Sequence, residues 1–249
     1  MRQLRLAFGF FTILPLARAG GIEEVTRAAF LLPLVAVFLG GVEGLAGWGL
    51  SGLFEAQVVA AIILALALLL TGLHHADGLA DVGDAVMAGG SRSRRLAVLK
   101  DRTMGIGAIA ALLLVYLVSW AALSEALPGI EERHWPWLMM SVELSARFSL
   151  FALAMFSRPS HKGSGSVFIA GSKGWRGMAA SAIVLILLAL LAIPLGILIP
   201  LVCGAGALAV AILLAAAGRR WFGGANGDLL GASVETGRVA ALLAAAAAL

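Results

Sequence analysis

The chain has one cysteine among its 249 residues, and only 13% of those residues carry a charge. With no second thiol, Cys203 cannot form an intramolecular disulfide; placed within an apolar run, it reads as a buried thiol. The charged fraction is about half the ~25% of soluble domains, and mean hydropathy is +1.00, which excludes an ordinary soluble globule. No self-similarity at a 20–50-residue period is visible, so solenoids and propellers are excluded. Duplicated halves with paired broken helices are missing too, which weighs against an ion-coupled transporter. Basic residues are not interleaved with aromatics, so nothing points to nucleic acid.

What the sequence has in quantity is apolar runs near the ~20 residues that cross a bilayer as a helix. Residues 29–50, 56–73, 105–127 and 136–156 read as spans. The run 178–217 is interrupted by Pro194, Gly196 and Pro200, and so reads as two spans joined by a tight turn. Residues 229–249 form a last, weaker span containing Glu235 and Arg238. The expectation is an all-α, polytopic membrane helical bundle of about seven transmembrane helices, with six the alternative, because spans must satisfy their own backbone hydrogen bonds. We expect one integral membrane domain over residues 1–249, with no soluble appendage.

The basic residues orient this bundle. About 15 of the 18 Lys and Arg residues fall in alternate connections, the side that faces the cytoplasm. These are the N-terminal arm (Arg2, Arg5, Arg18, Arg27), the polar segments 74–104 and 157–177, and the turn 218–228. The opposite connections hold Arg133, next to Glu131 and Glu132, while Arg147 and Arg238 lie within spans. The N-terminus is therefore expected in the cytoplasm and the chain in the inner (plasma) membrane. The net charge of +4 and pI near 10.0 suit anionic lipid or a polyanionic substrate. Leu6–Ala17, with Ala17-Arg18-Ala19 after it, superficially resembles a signal peptide and its cleavage site. Gly9 and Pro15 interrupt the run, so residues 1–28 read better as a retained interfacial or re-entrant segment.

The richest chemistry lies at 74–84, His-His-Ala-Asp-Gly-Leu-Ala-Asp-Val-Gly-Asp. Asp77, Asp81 and Asp84 are spaced i, i+4, i+7, which stacks them on one helical face over roughly 10 Å. Such a row repels itself unless a divalent cation and substrate phosphates supply positive charge and ligands; a solvated helix N-terminus is the plain alternative. Gly89 and Gly90 close the acidic stretch, the basic run 91–95 follows, and Lys100-Asp101 precede Gly105. Acids that bind metal, set beside cationic donors, suit phosphoryl transfer.

Two further segments can reach the same side. Residues 157–166 form a short glycine- and serine-rich stretch in which Arg158 offers a bidentate fork for phosphate. Glu143 and Arg147, i, i+4 in the preceding span, are either structural glue or part of a polar cavity. Residues 223–232 place Asn226 and Asp228 among glycines at a span entrance, where a turn with Asp228 as N-cap is the simple account. Glu235 follows seven residues later on the same face, and a charge that deep in a span is functional by default.

Together these residues resemble the cobalamin synthase (adenosylcobinamide-GDP ribazoletransferase) family over nearly the whole chain. The likeness runs from Phe-Phe-Thr-Ile-Leu-Pro at 10–15, through His75 to Asp84 and Lys100-Asp101 with Gly105, to Gly223-Gly224, Gly227-Asp228, Gly231-Ala232 and Glu235. Asn226 stands where the family usually has threonine, and Ala108 occupies a common glycine position. Helical phase favours His74 on the Asp face, whereas the resemblance selects His75. It also implies attack by a hydroxyl of α-ribazole, or of its 5′-phosphate, on adenosylcobinamide-GDP, releasing GMP and forming adenosylcobalamin or its 5′-phosphate. In that reaction Asp77, Asp81 and Asp84 would hold Mg²⁺, and Lys100 and Arg158 would neutralise the leaving phosphate. His75 or an aspartate would be the general base. Asp101, Arg147, Asn226, Asp228 and Glu235 would line the substrate pocket. A CDP-alcohol phosphotransferase is the rival enzyme, but it expects Ala-Arg shortly after Asp-Gly, and here Asp77-Gly78 leads to Leu79-Ala80-Asp81.

Overall fold

A computed structural model describes residues 1–16, 21–101 and 103–249. It is 82% helical, and the described residues form no strand beyond an isolated bridge between Pro159 and Ala225. In chain order the helices are α1 (Arg2–Phe11), α2 (Ile22–Ala28), α3 (Leu32–Leu50), α4 (Ala56–Leu70), α5 (His74–Met87) and α6 (Arg92–Val98). After these come α7 (Ile106–Ala126), α8 (Trp135–Phe156), α9 (Ser164–Ser172), α10 (Trp175–Leu195), α11 (Leu198–Trp221) and α12 (Gly227–Ala248).

Six helical segments are individually long and apolar enough to cross a membrane: Ile22–Leu50, Ile106–Gly129, Glu132–Phe156, Trp175–Leu195, Leu198–Trp221 and Gly227–Ala248. A seventh arises if α4 and α5, bent by 94° at their junction, count as one broken span. Large apolar side chains face outward along these helices, among them Leu113, Leu117, Leu190, Ile193, Leu201 and Leu213. In water such a surface is untenable; against lipid it is the ordinary condition of a multi-pass membrane protein. As expected, the long run 178–217 breaks where α10 ends, at Gly196 with φ 76°, and α11 begins at Leu198.

The first span is longer than hydropathy indicates, because α2 and a single 3₁₀ turn run directly into α3. In α1, Leu6, Ala7 and Phe11 are buried in the core and the Ile13 N–H donates to the Leu70 carbonyl at 2.8 Å, so the N-terminal segment packs on the bundle end. Ala17 to Gly20, which carry the signal-peptide-like site, lie outside the described residues, as does Arg102.

The most buried helix is α8, and its fit against α3 is backbone on backbone. A Cβ on Gly40 would sit 2.5 Å from the Met139 carbonyl oxygen, and one on Gly44 would sit 2.3 Å from the Pro136 Cα. Small residues four apart permit this approach, the usual device where no hydrophobic force drives helices together. The spans alternate in direction, so one end of the bundle collects the end of α4, the start of α7, the ends of α8 and α11, and the start of α12. The polar segments are gathered at that end.

Candidate active site

The site starts from a sharp redirection of the chain. Gly72 (φ 61°) and Leu73 (φ 63°) both adopt left-handed conformations, and Leu73 is the only non-glycine residue to do so among those described. That costs backbone energy, and its effect is to turn α5 across the bundle end instead of continuing α4. Glycines then let α5 dock. A Cβ on Gly78 would lie 2.7 Å from the Asp228 carbonyl oxygen, and Gly83 and Gly107 meet with similar closeness between α5 and α7. Only hydrogen fits at these contacts.

The three aspartates of α5 share a face, as the spacing requires, but their surroundings differ. Both carboxylate oxygens of Asp84 are engaged at the start of α7, accepting from the Gly105 N–H at 2.7 Å and the Ala108 N–H at 2.8 Å. Asp84 therefore caps α7 and locks α5 to it. Asp77 is exposed and Asp81 half-exposed, with no cationic partner for either among the described residues. Partial burial, followed by the charges of Asp228, Asp77 and Asp84, pushes the Asp81 carboxyl up to about 6. The repulsion from Asp228 of α12 outranks that from Asp77, one turn away.

Two cavities meet at Asp77. The outer recess, about 350 Å³, is lined by Asp77, Asp81, Asp84, Lys100 and Asp101. The inner cavity, about 260 Å³, is lined on one side by His74, His75, Asp77 and Asp228 and elsewhere mainly by apolar residues from five helices, with Thr71 and Ser164 interspersed. Among the described residues, no three His, Cys, Asp or Glu side chains stand close enough to hold a metal ion by themselves. The donor chemistry nevertheless suits magnesium, which takes oxygen ligands and is commonly held by one or two carboxylates plus substrate phosphates and water. Asp81, unpartnered and crowded by other carboxylates, is the residue whose charge such an ion would relieve.

Because α5 is helical from His74 onward, phase sends His75 inward and leaves His74 exposed, its Nδ1 2.8 Å from the Thr71 carbonyl. Both rings still border the inner cavity. Burial, then the guanidinium groups of Arg147 and Arg238, holds the His75 imidazole well below its ordinary value, so it is neutral.

The remaining sequence-identified residues separate. Asn226, expected in the substrate pocket, is instead buried as the N-cap of α12, its Oδ1 accepting from the Leu229 N–H at 2.8 Å; Asp228, expected in the pocket with a plain cap the alternative, borders the inner cavity. Segments 157–166 and 223–232 are joined, with the Ala225 N–H donating to the Arg158 carbonyl and the Ser160 N–H to the Ala225 carbonyl, both at 2.8 Å. Arg158 itself points elsewhere. Its Nε donates to the Gly223 carbonyl at 3.3 Å, and it lines a separate recess with Lys173 and Arg219.

Arg147 and Glu235 line neither cavity. They belong to a fully buried ion network in which Arg238 Nε donates to Glu143 Oε1 at 2.6 Å, Arg147 also pairs with Glu143, and Arg238 also pairs with Glu235. The Tyr116 hydroxyl donates to Glu235 Oε2 at 3.1 Å, and Glu43, fully buried on α3, faces the same cluster. Glu143 and Arg147 are thus buried against each other and border neither cavity. Arg238 and Glu43 carried no sequence signal beyond being charges within spans. Phe10 and Phe11 of α1, which also border the inner cavity, entered the sequence reading only as part of an apolar run and of the likeness at 10–15, with no site role attached.

A family model described as cobalamin-5-phosphate synthase matches residues 3–246. Among the relatives, the adenosylcobinamide-GDP ribazoletransferase of Methanosarcina mazei is 32% identical, covering 97% of this chain and 90% of its own. That of Pyrobaculum calidifontis is 34% identical, covering 96% of this chain and 97% of its own. That of Halorubrum lacusprofundi is 35% identical, with 97% and 95% covered. No solved structure matches the chain.

Proposed function

Because the chain belongs to the cobalamin-5-phosphate synthase family and is a transferase of cobalamin biosynthesis, we propose that the double cavity transfers α-ribazole, or its 5′-phosphate, onto adenosylcobinamide-GDP with release of GMP. The observation that carries this reading is Asp77, shared by a polar, acid-lined recess and a mostly apolar cavity. Two compartments with one boundary would hold a pyrophosphate and a nucleoside hydroxyl side by side, the proximity that such a transfer exploits.

Asp81, with the substrate's phosphates, would hold Mg²⁺ in the outer recess, and the ion would supply charge neutralisation and orientation of the pyrophosphate when bound. Lys100, at the wall of the recess, takes up charge developing on the departing phosphate. Asp77 accepts the proton of the attacking hydroxyl. His75 is the poorer acceptor, because a proton gained there would oppose Arg147 and Arg238. Its neutral ring instead closes the cavity between the attacking group and the buried ions. Asp84 holds the acidic face of α5 in register with α7.

The bundle end bearing the site also bears nearly all the basic residues, so the site faces the cytoplasm of a cell whose inner membrane holds the protein. The test is to give the purified, reconstituted protein adenosylcobinamide-GDP with Mg²⁺ and, in separate reactions, α-ribazole or its 5′-phosphate. GMP release requiring either acceptor supports the assignment. GMP release independent of both acceptors, or none with either, removes it.

A further inference from the structure

The inner cavity is smaller than the ~300–1,000 Å³ of drug-sized ligand sites, at about 260 Å³. That volume is of the size of a nucleoside, and a corrinoid nucleotide is several times larger. Its walls have two characters. Phe10 and Phe11 of α1, Val25 of α2, Leu150 of α8, Phe168 of α9 and Leu230 of α12 supply an apolar surface. Most of the polar groups gather where α5 and α12 meet, at His74, His75, Asp77 and Asp228, with Thr71 and Ser164 set apart from them. A nucleoside divides the same way, into a flat base and a hydroxyl-bearing sugar. The aromatic rings are braced, since Phe10 and Phe11 pack edge to face at 4.9 Å between centroids and Phe151 stacks on Phe168 at 6.2 Å. Such rings can receive a planar base without first ordering themselves.

We infer that this cavity is the acceptor subsite, in which the base of α-ribazole lies against Phe11 and Phe168 and a ribose hydroxyl meets Asp77. The inference rests on the reaction proposed above and adds to it which cavity takes which substrate, with α1 as part of the binding wall. In the transfer, the ribose oxygen forms a bond to the phosphorus on the cobinamide side, and the bond from that phosphorus to the bridging oxygen breaks. The electron pair leaves with GMP, and the hydroxyl proton passes to Asp77. The bulky corrinoid stays outside the cavity, with only its pyrophosphate reaching the outer recess.

Phe11→Leu and Phe168→Leu keep apolar volume and remove the flat ring. In reconstituted protein, each should raise the KM for α-ribazole roughly tenfold, the loss of one base–aromatic stacking contact, while the KM for adenosylcobinamide-GDP stays unchanged. Equal rises for both substrates, a rise for adenosylcobinamide-GDP alone, or no rise would overturn the assignment. Calorimetric titration of α-ribazole alone, without Mg²⁺ or the second substrate, supplies an independent readout. Binding to the wild type that is lost in Phe168→Leu supports the subsite even if no GMP is ever released. Binding that survives both substitutions sinks it whatever the turnover.

Discussion

Asp81 and Asp84 lie one turn apart on α5 and should respond oppositely to mutation. Asp84 satisfies two backbone N–H groups at the start of α7, so Asp84→Ala should lower stability by about 0.5–2 kcal/mol, as loss of a helix cap does. Asp81 is crowded by Asp228, Asp77 and its own α5 neighbour Asp84, so Asp81→Asn should raise the thermal midpoint in the absence of divalent cations. Scanning calorimetry of both variants in detergent checks the pair. A pH dependence follows from the same crowding. The Asp81 carboxyl is raised from an ordinary 3.8 to about 6, so its charged form is disfavoured by folding and its penalty is fully present above pH 6. That penalty fades as pH falls towards 4, and metal-free protein should therefore gain thermal stability between pH 7 and 5 at this site. Asp81→Asn should flatten that part of the profile, which a pH series of melting curves would show. The acidic row was legible because its spacing is local. The capping role of Asp84 was not, since its donors lie 21 and 24 residues away and exist only once α5 docks on α7.

Among the helices, the spans could be read from hydropathy and punctuation, while the way they are tied together could not. Gly196 and Leu198 mark the α10–α11 turn where glycine and proline predicted it. The 94° turn into α5 depends on Leu73 in a left-handed conformation, for which its sequence neighbourhood carries no signal. The buried network joining α8 to α12 was half visible, because Glu143 and Arg147 are four residues apart, whereas Arg238 reaches Glu143 across 95 positions. Arg238 neutralises two carboxylates that have no access to water. Its removal should cost about 3–5 kcal/mol, the usual penalty of leaving buried charge unpaired. Arg238→Ala should accordingly melt well below the wild type, and Arg238→Ala with Glu235→Gln, which keeps the Arg147–Glu143 pair, should recover much of the loss. Thermal unfolding of the single and double variants in one detergent would measure both.

For the molecule as a whole, the alternation of spans puts the double cavity at one end and the short connections 51–55 and 127–134 at the other. On the orientation proposed above, positive charge would set that arrangement with the site end inward. Cys203 is buried, so Cys203→Ala provides a background for labelling single introduced cysteines. In intact cells a membrane-impermeant maleimide should modify Ser51→Cys directly and Ser91→Cys only after permeabilisation. The reverse pattern would place the site outside. Convergence of distant polar segments was anticipated from this charge alternation. The division of the site into two compartments was not, because it depends on α1 folding back over the bundle end to bring Phe10 and Phe11 to the cavity.

The most direct test of the whole account is GMP release by the reconstituted protein supplied with adenosylcobinamide-GDP and α-ribazole, comparing wild type with Asp81→Asn across a Mg²⁺ titration. The account predicts Mg²⁺-dependent release by the wild type and at most a trace from a variant that melts no lower than the wild type. Near-normal, Mg²⁺-responsive release by Asp81→Asn would contradict it.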